Sequence, residues 1–284
     1  MRWQMGRRSR NVEDRRRSTG GSSIAVGGGG LGMLVLALVV MFLGGDPTVV
    51  LDQVATTSPG APQSQPRSPE EDQLAEFVSV VLADTEDTWH TLFQERGGTY
   101  QEPNLVLFSG AVQSACGFAQ AAMGPFYCPA DQKIYIDLSF YQDLKNQHQA
   151  PGDFAQAYVI AHEVGHHAQN LLGISGQVQQ LKQRVSQTEA NQLSVRLELQ
   201  ADCFAGVWAN RADQARNILE QGDVEEALNA ASQIGDDRLQ QQGRGYVTPD
   251  SFTHGSSAQR VRWFKQGLQT GDLDQCNTFE TANL

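Results

Sequence analysis

Two histidines and a glutamate stand at a spacing that suits metal chemistry. His162, Glu163 and His166 fall in the run Ala-His-Glu-Val-Gly-His-His. On a helix, residues four apart project from one face about one turn from each other, so the two imidazoles can bind one Zn²⁺. Glu163, one step round the helix, would then reach a zinc-bound water. The alternative is a charged surface helix on which the histidines are incidental.

A catalytic zinc ion needs a third protein ligand and one position open for water. His167 is a poor candidate, because a five-residue step turns it about 140° away from His162. Glu198 and Asp202 share one face of a second predicted helix, beside small residues that would admit a neighbouring helix. We predict one Zn²⁺ per chain, bound by His162, His166 and Glu198. Asp202 would then accept a hydrogen bond from a ligating histidine. The alternative is that both carboxylates are solvated on an amphipathic helix.

Further motifs occur along most of the chain. They are Gly-Pro-Phe-Tyr127 between Cys116 and Cys128, Leu-Gln-Ala-Asp202-Cys203-Phe-Ala-Gly, Thr253-His254-Gly-Ser-Ser-x-Gln-Arg260 and Cys276-Asn-Thr-Phe279. With the His-Glu-x-x-His run, they resemble the putative neutral zinc metallopeptidase family of bacteria over essentially the whole chain. His-Glu-x-x-His followed by Glu-x-x-x-Asp is similar to the gluzincin pattern. The family pattern has Asp where this chain has Asn277. The resemblance implies zinc peptidase chemistry and leaves the substrate open.

His254 and Arg260 also resemble a downstream element of membrane-linked gluzincin endopeptidases. The resemblance implies that His254 stabilises the tetrahedral oxyanion and that Arg260 binds substrate or forms a structural ion pair. The alternative for His254 is a loop histidine beside the last helix. The predicted mechanism is metal-assisted hydrolysis in which Glu163 is the general base. Asp236 and Asp237 are interpreted as solvated helix charges.

The elements that must position these residues are mainly helical. Length and periodicity predict helices over 71–95, 154–172, 188–212, 224–241 and 256–268, and strands over 105–108 and 133–139. Helices outweigh strands, so the predicted fold class is α+β, mainly helical with a small sheet. The resemblance implies that this is a zincin-like metallopeptidase domain. The strand 133–139 precedes the metal helix, and it could be the edge that binds an extended peptide by strand addition.

An apolar stretch near the N-terminus predicts a membrane anchor. Residues 24–43 are apolar apart from glycines, and twenty helical residues span roughly the 30 Å of a bilayer core. Seven arginines precede the stretch, and no basic residue follows until Arg67. The positive-inside rule then places the N-terminus in the cytoplasm and the rest outside it, periplasmic or extracellular. A cleaved signal peptide is the alternative, but no convincing small-x-small site follows the stretch.

These features divide the chain into four predicted parts. They are a basic cytoplasmic segment 1–23, a transmembrane anchor 24–43, a linker 44–69 rich in Pro, Ser and Gln, and a metallopeptidase domain 70–284. The composition of the linker buries too little apolar surface to order itself.

Four cysteines lie in the part predicted to be exported: Cys116, Cys128, Cys203 and Cys276. An even count in an oxidising compartment suggests two disulfides, for which three pairings are possible. The short separation of Cys116 and Cys128 favours a bond between them, which leaves Cys203 with Cys276. Four buried free thiols are the alternative.

The charge distribution excludes a nucleic-acid partner. Net charge is −11 over 284 residues, and residues 1–43 hold seven Arg against two acidic residues, so the remainder carries −16. Phosphate binding needs a basic surface, which this acidic body lacks. The sequence therefore predicts a membrane-anchored zinc peptidase whose partners are a peptide or protein substrate and the membrane. The alternatives are a non-catalytic module that keeps zinc for structure and a zinc hydrolase of another amide or ester.

Overall fold

The computed structural model describes residues 1–16, 68–281 and 284. The predicted anchor 24–43 and nearly all of the predicted linker 44–69 lie outside these residues. Within the described ranges, no helix is both long enough and apolar enough to span a bilayer.

The described residues form a mainly helical α+β fold, as predicted. The helices are α1 (Pro69–Glu95), α2 (Ser139–Asn146), α3 (Asp153–Leu171), α4 (Ile174–Lys182), α5 (Gln187–Arg216), α6 (Asp223–Gln233), α7 (Asp236–Arg244) and α8 (Ser257–Thr270). The strands are β1 (Val12–Asp14), β2 (Asn104–Phe108), β3 (Ala111–Ser114), β4 (Gly117–Gln120), β5 (Phe126–Cys128) and β6 (Lys133–Asp137). Single 3₁₀ turns cover Ala121–Met123, Pro249–Ser251 and Leu273–Cys276.

The predicted helix 224–241 is interrupted at Gly235. A Cβ atom at position 235 would lie 2.3 Å from the backbone nitrogen of Ser257, so the chain before α8 packs directly against this glycine. Just beyond it, the backbone N–H of Asp236 donates to the carbonyl of Gly255 at 2.9 Å. This tertiary contact overrides the helical period of the sequence and separates α6 from α7.

A four-stranded sheet has the order β1-β2-β6-β5. β1 and β2 are parallel, as are β2 and β6, whereas β5 runs antiparallel to β6. The interpretation of 133–139 as an edge is therefore wrong, since β6 (Lys133–Asp137) lies between two strands. The edges are β1 and β5, each only three residues long, which is too short for an alternating pattern to reveal.

Residues 1–16 belong to the same folded unit as residues 68–284. We predicted a domain boundary near Glu70 and a separate basic segment before it. In the structure, β1 pairs with β2, and the Trp3 ring packs edge-on against Phe77 with centroids 5.4 Å apart. A single tryptophan and a three-residue strand carry no periodic signal, so the sequence did not indicate this element.

Two disulfides tie the later elements together. Cys116 at the β3–β4 turn is bonded to Cys128 at the end of β5, and Cys203 in α5 is bonded to Cys276. The favoured pairing is confirmed.

Helices α5 and α8 touch through their backbones. A Cβ atom at Gly267 would lie 1.9 Å from the carbonyl oxygen of Cys203, and one at Gly206 would lie 2.1 Å from that of Phe264. Neither atom opposite is the end of a flexible side chain. The contact therefore depends on glycine at both positions, and it holds the face of α5 that carries Asp202 against α8.

Gly267→Ala is expected to destabilise the protein by about 3 kcal/mol, the upper end for overpacking, because the methyl group meets backbone. Gly243→Ala is the matched control. Gly243 is in helix α7 with nothing within 4 Å of its virtual Cβ, so alanine there should stabilise by about 0.5–1 kcal/mol. Denaturant unfolding of the whole chain measures both. Equal stability of the two variants would contradict the backbone contact.

Candidate metal centre

Helix α3 carries the His-Glu-x-x-His run through the core. It is buried on most of its circumference because apolar side chains occupy every face, among them Phe154, Tyr158, Ile160 and Val164. A Cβ atom at Gly165 would lie 3.1 Å from the carbonyl oxygen of Ala201, so glycine lets α5 approach α3 closely at this point. This crossing brings Glu198 of α5 opposite the two histidines.

The structure brings the three predicted metal ligands together. His162 Nε2 lies 3.2 Å from Glu198 Oε2, and His166 Nε2 lies 3.4 Å from Glu198 Oε1. One candidate ligand atom from each residue lies within 4.8 Å of the other two. The predicted general base, Glu163, is 7% exposed and adjoins the site on α3. Two nitrogens and one oxygen therefore converge on a single point beside a buried carboxylate.

Asp202 orients His162, as the sequence predicted for a ligating histidine. Asp202 Oδ1 accepts a hydrogen bond from His162 Nδ1 at 2.8 Å and one from the Tyr158 hydroxyl at 2.5 Å. Arg260 donates to both carboxylate oxygens, from Nε and Nη2, each at 2.9 Å. With Nδ1–H committed to Asp202, Nε2 of His162 presents its lone pair to a metal. Arg260 was considered as a substrate-binding residue or as part of a structural ion pair, and in the structure it forms an ion pair with Asp202.

Charges in this network are strongly coupled. Burial opposes ionisation of Asp202, but Arg260 and His162 outweigh burial and lower the pKa of Asp202 to about 2. Burial likewise lowers the pKa of His162, but Asp202 and Glu198 outweigh it and raise the pKa to about 9. Burial raises the pKa of Glu198, whereas His166 and His162 hold it well below its ordinary value. A metal ion must displace the proton of His162, so its affinity should fall as the pH falls.

Gln169, which sequence reasoning missed, orients the second histidine. Its Oε1 lies 2.8 Å from His166 Nδ1, and its Nε2 donates to the Leu197 carbonyl at 2.7 Å and to Gln200 Oε1 at 3.1 Å. Because the amide nitrogen has these two acceptors, the amide oxygen must face His166. His166 then also keeps Nε2 for a metal. The i, i+3 spacing from His166 on one helix face was the signal available in the sequence.

His167 lies away from the metal ligands, as its five-residue step predicts. Its Nδ1 is 3.0 Å from the Tyr127 hydroxyl in β5, and its Nε2 is 2.6 Å from the carbonyl of Gln101. This histidine fastens α3 to the edge strand, and burial lowers its pKa.

His254 is held by Asp236. The Asp236 Oδ2 atom accepts hydrogen bonds from the backbone N–H groups of Thr253 at 2.7 Å, His254 at 2.6 Å and Gly255 at 3.1 Å. Its Oδ1 atom lies 3.2 Å from His254 Nδ1. The hydrogen bond to Asp236 raises the pKa of His254, with a further contribution from the charge of Glu198. The pKa of His254 therefore responds to the charge of one predicted metal ligand, Glu198.

The interpretation of Asp236 as a solvated helix charge is wrong. Asp236 is only 8% exposed, and its carboxylate shapes the loop that carries His254. Its neighbour Asp237 accepts from the backbone and hydroxyl of Ser257, both at 2.8 Å. The break at Gly235 puts these two aspartates in the first turn of α7, where they accept hydrogen bonds from backbone N–H groups of the chain at 253–257. A continuous helix, as predicted, offered no such role.

Comparison with known proteins shows which family the chain belongs to. The family model described as putative neutral zinc metallopeptidase matches residues 1–279. The chain belongs to this family. It is 56% identical over 288 residues to the uncharacterized protein YpfJ of Escherichia coli K12, covering 98% of this chain and 99% of YpfJ. It is 42% identical over 259 residues to the uncharacterized protein Rv2575 of Mycobacterium tuberculosis, covering 86% of each. No solved structure matches the chain.

The residues of the site fit the zinc ion that the family implies. Two imidazole nitrogens and one carboxylate oxygen are a donor set of catalytic zinc sites, which leave one position open. A second cluster among the described residues, Asp153, Asp223 and Glu226, offers carboxylates alone. That donor set suits harder cations, and Asp153 already accepts from the Met1 amino group at 2.7 Å. The histidine-containing site is therefore the one for zinc.

Proposed function

We propose that this protein is a zinc-dependent peptidase, with one zinc ion per chain and Glu163 as the general base. The observation that carries the proposal is the convergence of ligand atoms of His162, His166 and Glu198 within 4.8 Å of one another. The two histidines lie on α3, which also presents Glu163, and Glu198 lies on α5. A purely structural zinc site has four protein ligands, whereas three converge here among the described residues, next to a buried carboxylate.

Each residue of the site has a defined part in hydrolysis. Zinc, when bound, supplies Lewis acidity toward water and the peptide carbonyl. Glu163 takes the proton of the attacking water and delivers it to the leaving amine. Asp202 and Gln169 keep the two ligating imidazoles in the tautomer that binds metal. His254 donates a hydrogen bond to the oxyanion.

The edge strand β5 is the proposed binding site for substrate. With β6 on one side only, Phe126–Cys128 offers its other side to an extended peptide, which would add as a further strand. The Tyr127 hydroxyl fixes β5 to the metal helix through His167 at 3.0 Å and Asn170 at 3.1 Å. A peptide on this edge would therefore lie beside the helix that carries the predicted ligands. This arrangement favours an endopeptidase, because an extended chain can pass the site in both directions.

We further propose that the protein works outside the cytoplasm and is attached to the membrane through residues 24–43. The two disulfides support an oxidising compartment, because thiols stay reduced in the cytosol. The apolar character of residues 24–43 supports attachment.

A cleavage assay tests the proposed function. The whole chain, in detergent, is incubated with a mixed peptide library, with and without a zinc chelator. Residues 1–16 are part of the fold, so a fragment beginning at residue 70 is unsuitable. We expect cleavage that stops with chelator and returns with added Zn²⁺. Stoichiometric zinc without cleavage of any peptide would favour a non-catalytic zinc module or another amide or ester substrate.

Asp236→Asn is expected to move the alkaline limit of turnover to lower pH. Nδ1–H of His254 faces Asp236, so Nε2 carries a proton for the oxyanion only while His254 is cationic. The raised pKa of His254 keeps that form present to a higher pH, and activity is lost as the pH rises through this pKa. Asp236→Asn removes the negative charge that raises the pKa of His254. At pH values between the alkaline limit of the variant and that of the parent, the kcat of the variant should be roughly 10²-fold below that of the parent.

Asp237→Asn is the matched control for this pH shift. Asp237 is the next residue of α7, but its carboxylate binds Ser257. Its pH profile of kcat should be that of the parent. The same shift in both variants would mean that a general loosening of the loop, and not the charge on Asp236, is responsible.

A further inference from the structure

The N-terminal sixteen residues are built into the sheet. β1 lies in register with β2, and Val12 is opposite Leu105. The Leu105 N–H donates to the Asn11 carbonyl at 2.8 Å, and the Arg15 N–H donates to the Leu107 carbonyl at 2.8 Å. Without β1, the backbone groups of β2 that face it would lose their partners.

A buried carboxylate depends on the same segment. Glu86 in α1 is fully buried, and in the described part of the chain its side-chain hydrogen bonds come from Arg7, Ser9 and Asn11. The Arg7 guanidinium lies 2.8 Å from Glu86 Oε2, and Asn11 Nδ2 lies 2.9 Å from Oε1. A buried carboxylate that loses its hydrogen-bond partners destabilises the fold. Among the described residues, the hydrogen-bond partners of the buried Glu86 side chain are therefore supplied by residues 1–16.

Four of the arginines that predicted a cytoplasmic N-terminus have carboxylate partners in residues 68–281. Five of the six arginines in residues 1–16 make ion pairs with carboxylates: Arg2 with Glu220, Arg7 with Glu86 and Asp87, Arg8 with Glu76, Arg15 with Glu13, and Arg16 with Asp14 and Asp72. Their charge complements the acidic body of the protein. The arginine-rich start therefore has a structural role in addition to any effect on membrane orientation.

The end of the first described range contacts the start of the second. Arg16, at the end of the first described range, donates to the Glu71 carbonyl at 3.0 Å, at the start of α1. We infer that residues 1–16 and 68–281 lie on the same side of the membrane, as one folded unit. A single crossing by residues 24–43 would place them on opposite sides, and the contacts to Glu86 and β2 could not form. This inference differs from the predicted topology, in which the N-terminal segment is cytoplasmic and the domain lies outside.

Thiol labelling of two exposed methionines tests this inference. Met5 is 100% exposed and Met123 is 71% exposed, so Met5→Cys and Met123→Cys should fold as the parent does. Each full-length variant is expressed in bacteria, and spheroplasts are treated with a membrane-impermeant maleimide before or after lysis. The parent chain is the matched control, because its four cysteines are paired in disulfides. Gln4→Cys, one residue from Met5, serves if Met5→Cys unfolds below the parent temperature.

Equal ratios of labelling before and after lysis at positions 5 and 123 are the expected result. Labelling of both in intact spheroplasts supports a shared position outside, and protection of both until lysis supports a shared position inside. Labelling of one position with protection of the other overturns the inference. None of these outcomes depends on whether the protein hydrolyses peptides.

Discussion

Glu163→Gln should leave zinc binding unchanged and lower peptide hydrolysis roughly 10²–10⁴-fold, the contribution typical of positioned proton transfer. Glu163 is not among the three residues whose ligand atoms converge, so the metal keeps His162, His166 and Glu198. The amide is nearly isosteric with the carboxylate, yet it cannot accept the proton of the attacking water. Zinc content by elemental analysis and the initial rate of peptide cleavage, measured on the same preparation, separate the two effects.

Glu225→Gln is the matched control, since it makes the same chemical change at an exposed position of helix α6. Its zinc content and cleavage rate should equal those of the parent. Cleavage by Glu163→Gln at the parent rate would show that Glu163 is not the general base. Loss of zinc from Glu163→Gln would instead show that the buried carboxylate contributes to metal binding.

The central residues of the site could be predicted because they lie close together in the sequence, on one helix. His162, Glu163 and His166 are fixed relative to one another by the geometry of a single helix, so their spacing alone indicates a shared face. Glu198 needed one further step, namely the recognition that small residues let a second helix approach. The contact between Gly165 and Ala201 is that approach.

What the sequence did not reveal depends on contacts between distant segments. Asp236 has its role because Gly235 interrupts a helical period and lets the chain at 253–257 pack against it. The packing of residues 1–16 against the domain was not predicted because Glu86, their buried partner, is seventy to eighty positions away, and no spacing rule connects them. The short edge strands β1 and β5 were not predicted for the same reason, since three residues form a strand only when the rest of the sheet is present to pair with them.

Glu198→Ala should release zinc from the protein. The substitution leaves two imidazoles where a catalytic site takes three protein ligands. It also removes the carboxylate oxygens that lie 3.2 Å from His162 Nε2 and 3.4 Å from His166 Nε2. Loss of an outer partner of a ligand costs roughly 10–100-fold in affinity, and loss of a ligand itself should exceed that. Competition with a chelator of known affinity measures the zinc dissociation constant, and peptide cleavage should fall in step with metal content.

Asp202→Asn provides a second variant whose zinc affinity can be compared with that of Glu198→Ala. Asp202 touches His162 and not the metal, so its variant should lose about 10–100-fold in zinc affinity, between the parent and Glu198→Ala. Glu225→Ala, on an exposed helix face, should bind zinc as the parent does. Zinc affinity should therefore be highest in Glu163→Gln, lower in Asp202→Asn and lowest in Glu198→Ala. If Glu198→Ala bound zinc as tightly as Glu163→Gln, the third ligand would have to be another residue, although the helix crossing at Gly165 places Glu198 opposite both histidines.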